Sequence, residues 1–98
     1  MDLIRGATAT FTGGASAIQT PSSVQGTVTG TGAVTASITI EVTNDLTAGN
    51  YITLGVISLS GTTTATDGFA FVSKWLYIRA RLTAISGTGA TVVVTLGG

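Results

Sequence analysis

The stretch AVTASITIEVT, residues 33–43, decides how the rest of the chain is read. Val34, Ala36, Ile38, Ile40 and Val42 fall on one side of an extended chain, and Thr35, Ser37, Thr39, Glu41 and Thr43 fall on the other. A period of two with an apolar and a polar row specifies a half-buried β-strand. The same rhythm runs through WLYIRARLTAI, residues 75–85. It predicts Leu76, Ile78, Ala80, Leu82 and Ala84 inward, with Trp75, Tyr77, Arg79, Arg81 and Thr83 outward.

Working outward, SVQGTVT (23–29) places Val24 and Val28 on one face, with Gly26 between them marking a bulge or a close backbone approach. ATVVVTL (90–96) and YITLGVISL (51–59) are apolar on both faces, the pattern of covered strands. Good helix formers such as Glu, Lys and Gln are scarce, while Thr, Val and Ile abound. GTG at 30–32 and SGTG at 86–89 sit between alternating runs, where residues tolerant of positive φ suit a reversal. They predict two hairpins, 23–43 and 75–96. TNDLTAGN (43–50) and SGTTTATDG (60–68) read as longer loops. The first 20 residues carry a short alternating run, Leu3, Ala7, Ala9 and Phe11, and predict an edge strand or an N-terminal arm ordered against a neighbour.

Short strands with Gly-rich turns give an all-β fold: an antiparallel β-sandwich, jelly-roll or immunoglobulin-like, or a squat barrel with short Gly-rich hairpins. Residues 1–98 suit a single domain with one modest core. The absence of a cysteine removes the disulfide-bonded immunoglobulin subset, thiolate metal sites and cysteine nucleophiles.

Charged residues make up 8% of the chain, against about 25% in ordinary domains, so the polar surface is mostly Thr, Ser and Gly. Four cations balance four anions, which leaves no field to draw nucleic acid or an anionic membrane. A neutral surface also lacks self-repulsion and favours association. No apolar run is long enough to span a membrane as a helix, and MDLIRGATAT lacks the basic and apolar regions of a secretory signal.

Catalysis finds no constellation to work with. Histidine is absent, Glu41 reads as a solvated surface acid, and Asp45 and Asp67 are single acids in separate turns, better suited to turn chemistry than to calcium. The expectation is a chain with no catalytic, cofactor or metal residues that works by contact. Three of the four cations, Lys74, Arg79 and Arg81, stand beside Trp75 and Tyr77. Trp, Tyr and Arg dominate the energetics of protein interfaces, so Trp75, Tyr77, Arg79 and Arg81 are the candidate interface residues. The competing reading makes Trp75 core, with the arginines lying over the rings as cation–π partners.

The stretch KWLYIRARLTAISGTGATVVVTLGG, residues 74–98, resembles small β-rich virion proteins of tailed bacteriophages, most of all capsid decoration or cement proteins. The likeness is carried by Trp75 to Thr83, a W-x-Y-I-R-A-x-x-T strand, and by Ser86 to Gly98, which opens S-G-T-G-A-x-V-x-V. It implies a protein made in the host cytoplasm that binds the capsid exterior and bridges neighbouring major capsid subunits as a homo-oligomer, a trimer being favoured. A tail, baseplate or connector subunit, or a carbohydrate-binding module stacking sugars on Trp75 and Tyr77, are the alternatives.

Overall fold

A computed structural model describes residues 2–17, 22–44, 50–71 and 76–97, and it contains strands and no helix. The strands are β1 (Asp2–Ala7), β2 (Phe11–Thr12), β3 (Ser16–Ala17), β4 (Ser22–Thr43), β5 (Ile52–Phe71) and β6 (Tyr77–Gly97). All pair antiparallel in one sheet of order β1-β6-β4-β5, and β2 and β3 add to β6 on the same edge as β1. The N-terminal segment is therefore an edge strand of the chain's own sheet, laid along β6 in three pieces.

Strand length forces the next feature. At roughly 3.3 Å per residue a strand like β4 would reach about 70 Å if straight, whereas the longest dimension of the molecule is 40 Å. Each long strand bends near its middle. The β4–β5 register shifts between Thr29 and Ala33, and the β4–β6 register shifts between Thr29 and Thr35. Positive φ values occur on the same line, at Gly32 (77°), Thr63 (64°), Gly87 (126°) and Gly89 (65°). The break between β1 and β2 at 8–10 continues that line across the fourth strand position.

This corrects the expected hairpins. GTG at 30–32 and SGTG at 86–89 are corners within continuous strands, since β4 keeps β5 on one side and β6 on the other before and after its corner. The segment 60–68, expected as a loop, lies inside β5. The chain reverses instead between Thr43 and Ile52 and between Phe71 and Tyr77. Asp67 accordingly sits in a strand, where its Oδ1 accepts a 2.8 Å bond from the N–H of Gly68; Asp45 lies outside the described residues.

Bending brings the two halves of the sheet face to face. A Cβ on Gly26 would stand 2.8 Å from Cδ1 of Ile38, twelve residues further along the same strand, and a Cβ on Gly55 would stand 2.9 Å from the ring of Phe69. Neither contact exists in a straight strand. One layer comprises β1, 22–29, 64–71 and 90–97; the other comprises β2, β3, 33–43, 52–62 and 77–86. The expected antiparallel sandwich is what the chain forms, from one sheet folded in two.

The core between the layers is aliphatic. Val24, Val28, Val92 and Val94 meet Val34, Ile38, Ile40, Val42, Ile78, Ala80 and Leu82, each 2% exposed or less. Inward residues pair side by side across strands, as in Ile38 with Ile57 and Leu82, and Val28 with Val92. The alternation of 33–43 is met at every apolar position. A bulge between Ser37 and Ile38 in the β4–β6 register turns Ala84 outward with Thr83, against expectation. The extra residue flips the face presented.

Candidate interaction surface

The outer face of the second layer carries the residues singled out in 75–85. Ile78, Ala80 and Leu82 are buried, while Tyr77 and Arg79 are half-buried and Arg81 is exposed. Period two along β6 therefore places Tyr77, Arg79 and Arg81 in one outward row. Opposite them on β4 stand Thr43, Glu41 and Thr39 in register. Trp75 and Lys74 lie outside the described residues. Leu76, expected inward, is 58% exposed; its N–H donates to Oδ1 of Asn44 at 3.0 Å, tying the start of β6 to the end of β4.

Glu41 organises this face, and the reading of it as a solvated acid is overturned. It is 7% exposed. The Nε of Arg79 donates to its Oε1 at 2.8 Å, and Nη1 of Arg81 lies 3.7 Å from its Oε2. The guanidinium of Arg79 in turn lies 3.6 Å above the ring of Tyr51. The physical cause is position: Glu41 sits on β4, which has a strand on both sides, so neighbouring side chains close over it from β6 and from the start of β5. A carboxylate withdrawn from water needs such partners. A cation–π contact of the kind expected for these arginines thus exists, between Arg79 and the ring of Tyr51.

The two arginines consequently differ. The side chain of Arg79 is 26% exposed and is held on both sides, whereas that of Arg81 is 47% exposed, makes a longer contact and keeps donors for an outside partner. Arg79→Ala is expected to lower unfolding free energy by about 2 kcal/mol, because it strands a buried carboxylate. Arg81→Ala is expected to cost under about 0.5 kcal/mol, the range of exposed ion pairs. Urea midpoints of the two variants check this; equal losses would mean that Glu41 does not depend on Arg79.

Sequence reasoning missed the neighbours of Arg81. Phe11, 51% exposed, lines with Thr10, Thr12, Arg81, Leu82 and Thr83 a shallow groove of about 400 Å³. Phe11 reaches it because β2 pairs with β6 at Leu82 and Arg81. Val56, 54% exposed, is opposite Thr39 on the other side of the same face. A groove lined by both an aromatic ring and a half-free guanidinium can receive an apolar side chain and a carboxylate or carbonyl together.

The outer face of the first layer has another chemistry. Thr27, Thr29, Thr64, Thr66, Thr91 and Thr95 stand across three strands in adjoining register. Part of that array is closed on itself: the hydroxyls of Thr27 and Thr66 are 2.8 Å apart, Nε2 of Gln25 donates to Oγ1 of Thr66 at 3.1 Å, and Thr66 donates to the carbonyl of Gly26 at 3.0 Å. Among the described residues no three His, Cys, Asp or Glu side chains come together as a metal set, and no helix is long and apolar enough to cross a membrane.

No protein-family model, curated protein or solved structure matches the chain.

Proposed function

We propose that this chain is a non-enzymatic structural protein of a virion, one that docks on the exterior of a phage capsid and bridges neighbouring major capsid subunits. The observation that carries the reading is the outward row of the second layer, where Arg81 with spare donors borders the edge groove that exposed Phe11 also lines. Aromatic and arginine anchors with apolar neighbours are the composition of protein–protein contact centres. The resemblance of 74–98 to capsid decoration proteins supplies the partner class, and with it a homo-oligomer, trimer favoured. Low charge also suits lateral docking onto another protein, since few groups must be desolvated.

The test is sedimentation of particles assembled without this chain after mixing with the purified protein. Wild type is expected to bind to a fixed, saturable copy number, and Phe11→Ala/Arg81→Ala to bind at least about 30-fold more weakly, the equivalent of one lost interface anchor, with wild-type circular dichroism and only a small fall in urea midpoint. Absence of any binding to heads removes the decoration role. Binding confined to tails would favour a tail, baseplate or connector subunit, and binding to glycans by the free chain a carbohydrate module.

A further inference from the structure

The two edges of the folded sheet are unlike. On one, the N-terminal segment is cut into pieces of 6, 2 and 2 residues, with register shifts inside β1. On the other, β5 runs 20 residues, and among the described residues no strand pairs with its outer side. Native proteins blunt exposed edges with lysine, proline, bulges or short strands. The first edge is blunted by interruption. β5 contains neither lysine nor proline, and its single charge, Asp67, lies beyond the corner. From Thr62 to Gly55 its register with β4 is unbroken, so the outward-pointing peptide groups of that arm form a regular row.

We infer that this arm of β5 pairs antiparallel with the same arm of a second copy, about a two-fold axis close to Val56 and Ile57, and so continues the second layer from one molecule into the next. Four observations choose a second copy as the occupant. An isologous contact must be complementary to itself, and residues 52–62 hold no charge, so no like charges are brought together. The interrupted N-terminal edge offers no regular row for β5 of a neighbour, which disfavours head-to-tail pairing into a ring. Val56, 54% exposed on the outer face, becomes a cross-strand or diagonal neighbour of its own copy and leaves water. A chain of zero net charge adds no long-range repulsion between copies.

This inference rests on the reading of the chain as an assembling subunit, and names the surface by which copies join in pairs, whatever three-fold contact exists elsewhere. The test uses three full-length proteins: wild type, Val56→Lys and Val56→Glu. Position 56 is exposed, so each variant is expected to keep the wild-type circular dichroism and, at concentrations low enough to dissociate the wild type, its urea midpoint. Wild type is expected to sediment as an even-numbered species, with amides of 55–62 slowed in hydrogen exchange as concentration rises. Each variant alone is expected to show half that mass and fast exchange at 55–62, and an equimolar mixture of the two is expected to recover the wild-type mass, lysine facing glutamate. A wild type that stays monomeric or odd-numbered overturns the inference. So does an assembly whose mass ignores both variants, or one protecting 55–62 together with 11–17, the sign of head-to-tail pairing. Phe11→Ala/Arg81→Ala, which leaves the β5 arm intact, is sedimented and tested for particle binding alongside them: pairing like wild type with weak docking reads the two losses apart.

Discussion

Gly87→Ala is expected to lower the unfolding free energy by about 3 kcal/mol, combining the cost of a forbidden backbone conformation with that of forced overpacking. Gly87 has φ of 126°, a region that residues with a side chain rarely adopt, and a Cβ there would lie 2.8 Å from the carbonyl oxygen of Ala33 and 3.2 Å from Cα of Val34. Both obstacles are backbone, so no rotamer change relieves them. Gly89, two residues on, is the internal control. Its φ is 65° and nothing stands within 4 Å of a Cβ placed on it, so Gly89→Ala carries the left-handed cost alone, about 1 kcal/mol. Against a total stability of roughly 5–15 kcal/mol for a domain of this size, the first change removes much of the margin and the second little. Urea denaturation of both variants decides; equal losses would place the close approach of β6 and β4 somewhere other than this corner.

The second large effect belongs to Ile38→Ala, expected to cost about 3 kcal/mol as a fully buried aliphatic truncation. Ile38 is 0% exposed and lies where the layers meet, with its Cδ1 aimed at Gly26. The informative measurement is the double mutant. In the wild-type background Gly26→Ala must displace Cδ1 of Ile38 and is expected to be neutral or destabilising. In the Ile38→Ala background the new methyl enters the space vacated, and the same change is expected to stabilise, with a coupling of about 1 kcal/mol. Additive behaviour would mean that positions 26 and 38 are not in contact, and the face-to-face packing of the two halves of β4 would be wrong.

What the sequence disclosed and what it hid separate along a physical line. The inward row Val34 to Val42 was legible because period two is a property of the strand itself and needs no partner to be seen. The corners were misread because positive φ at glycine serves a reversal and a sharp bend equally; only pairing of 22–29 with 64–71, on the far side of the bend, tells them apart. The Thr, Gly and Asp content of 60–68 reads as a loop, yet an edge arm with its outer face in water tolerates that composition. Glu41 was the clearest miss. Its burial depends on Arg79 and Tyr51, held nearby by register and by the β4–β5 reversal, and nothing in the local pattern of 33–43 distinguishes it from Thr39. Conversely, Tyr77, Arg79 and Arg81 were placed in one row correctly, while the division of labour between a tied Arg79 and an available Arg81 required the third dimension.

The position of β6 has a consequence for the order of events when the chain is made. β6 follows every other strand in the sequence and yet lies between β1 and β4, with Asp2 opposite Thr95 and Val24 opposite Leu96. During synthesis β4 and β5 can meet as a long hairpin, but β1, β2 and β3 have no partner until β6 leaves the ribosome. A two-stranded ribbon by itself is marginal in water, so the molecule gains its stability late and in one step. Closing such distant pairs is slow, on the order of milliseconds to seconds for topologies of this kind. Until then a hydroxyl-rich, nearly uncharged chain waits with its apolar rows open, and the rate at which β6 inserts sets how long newly made copies can meet each other unfolded.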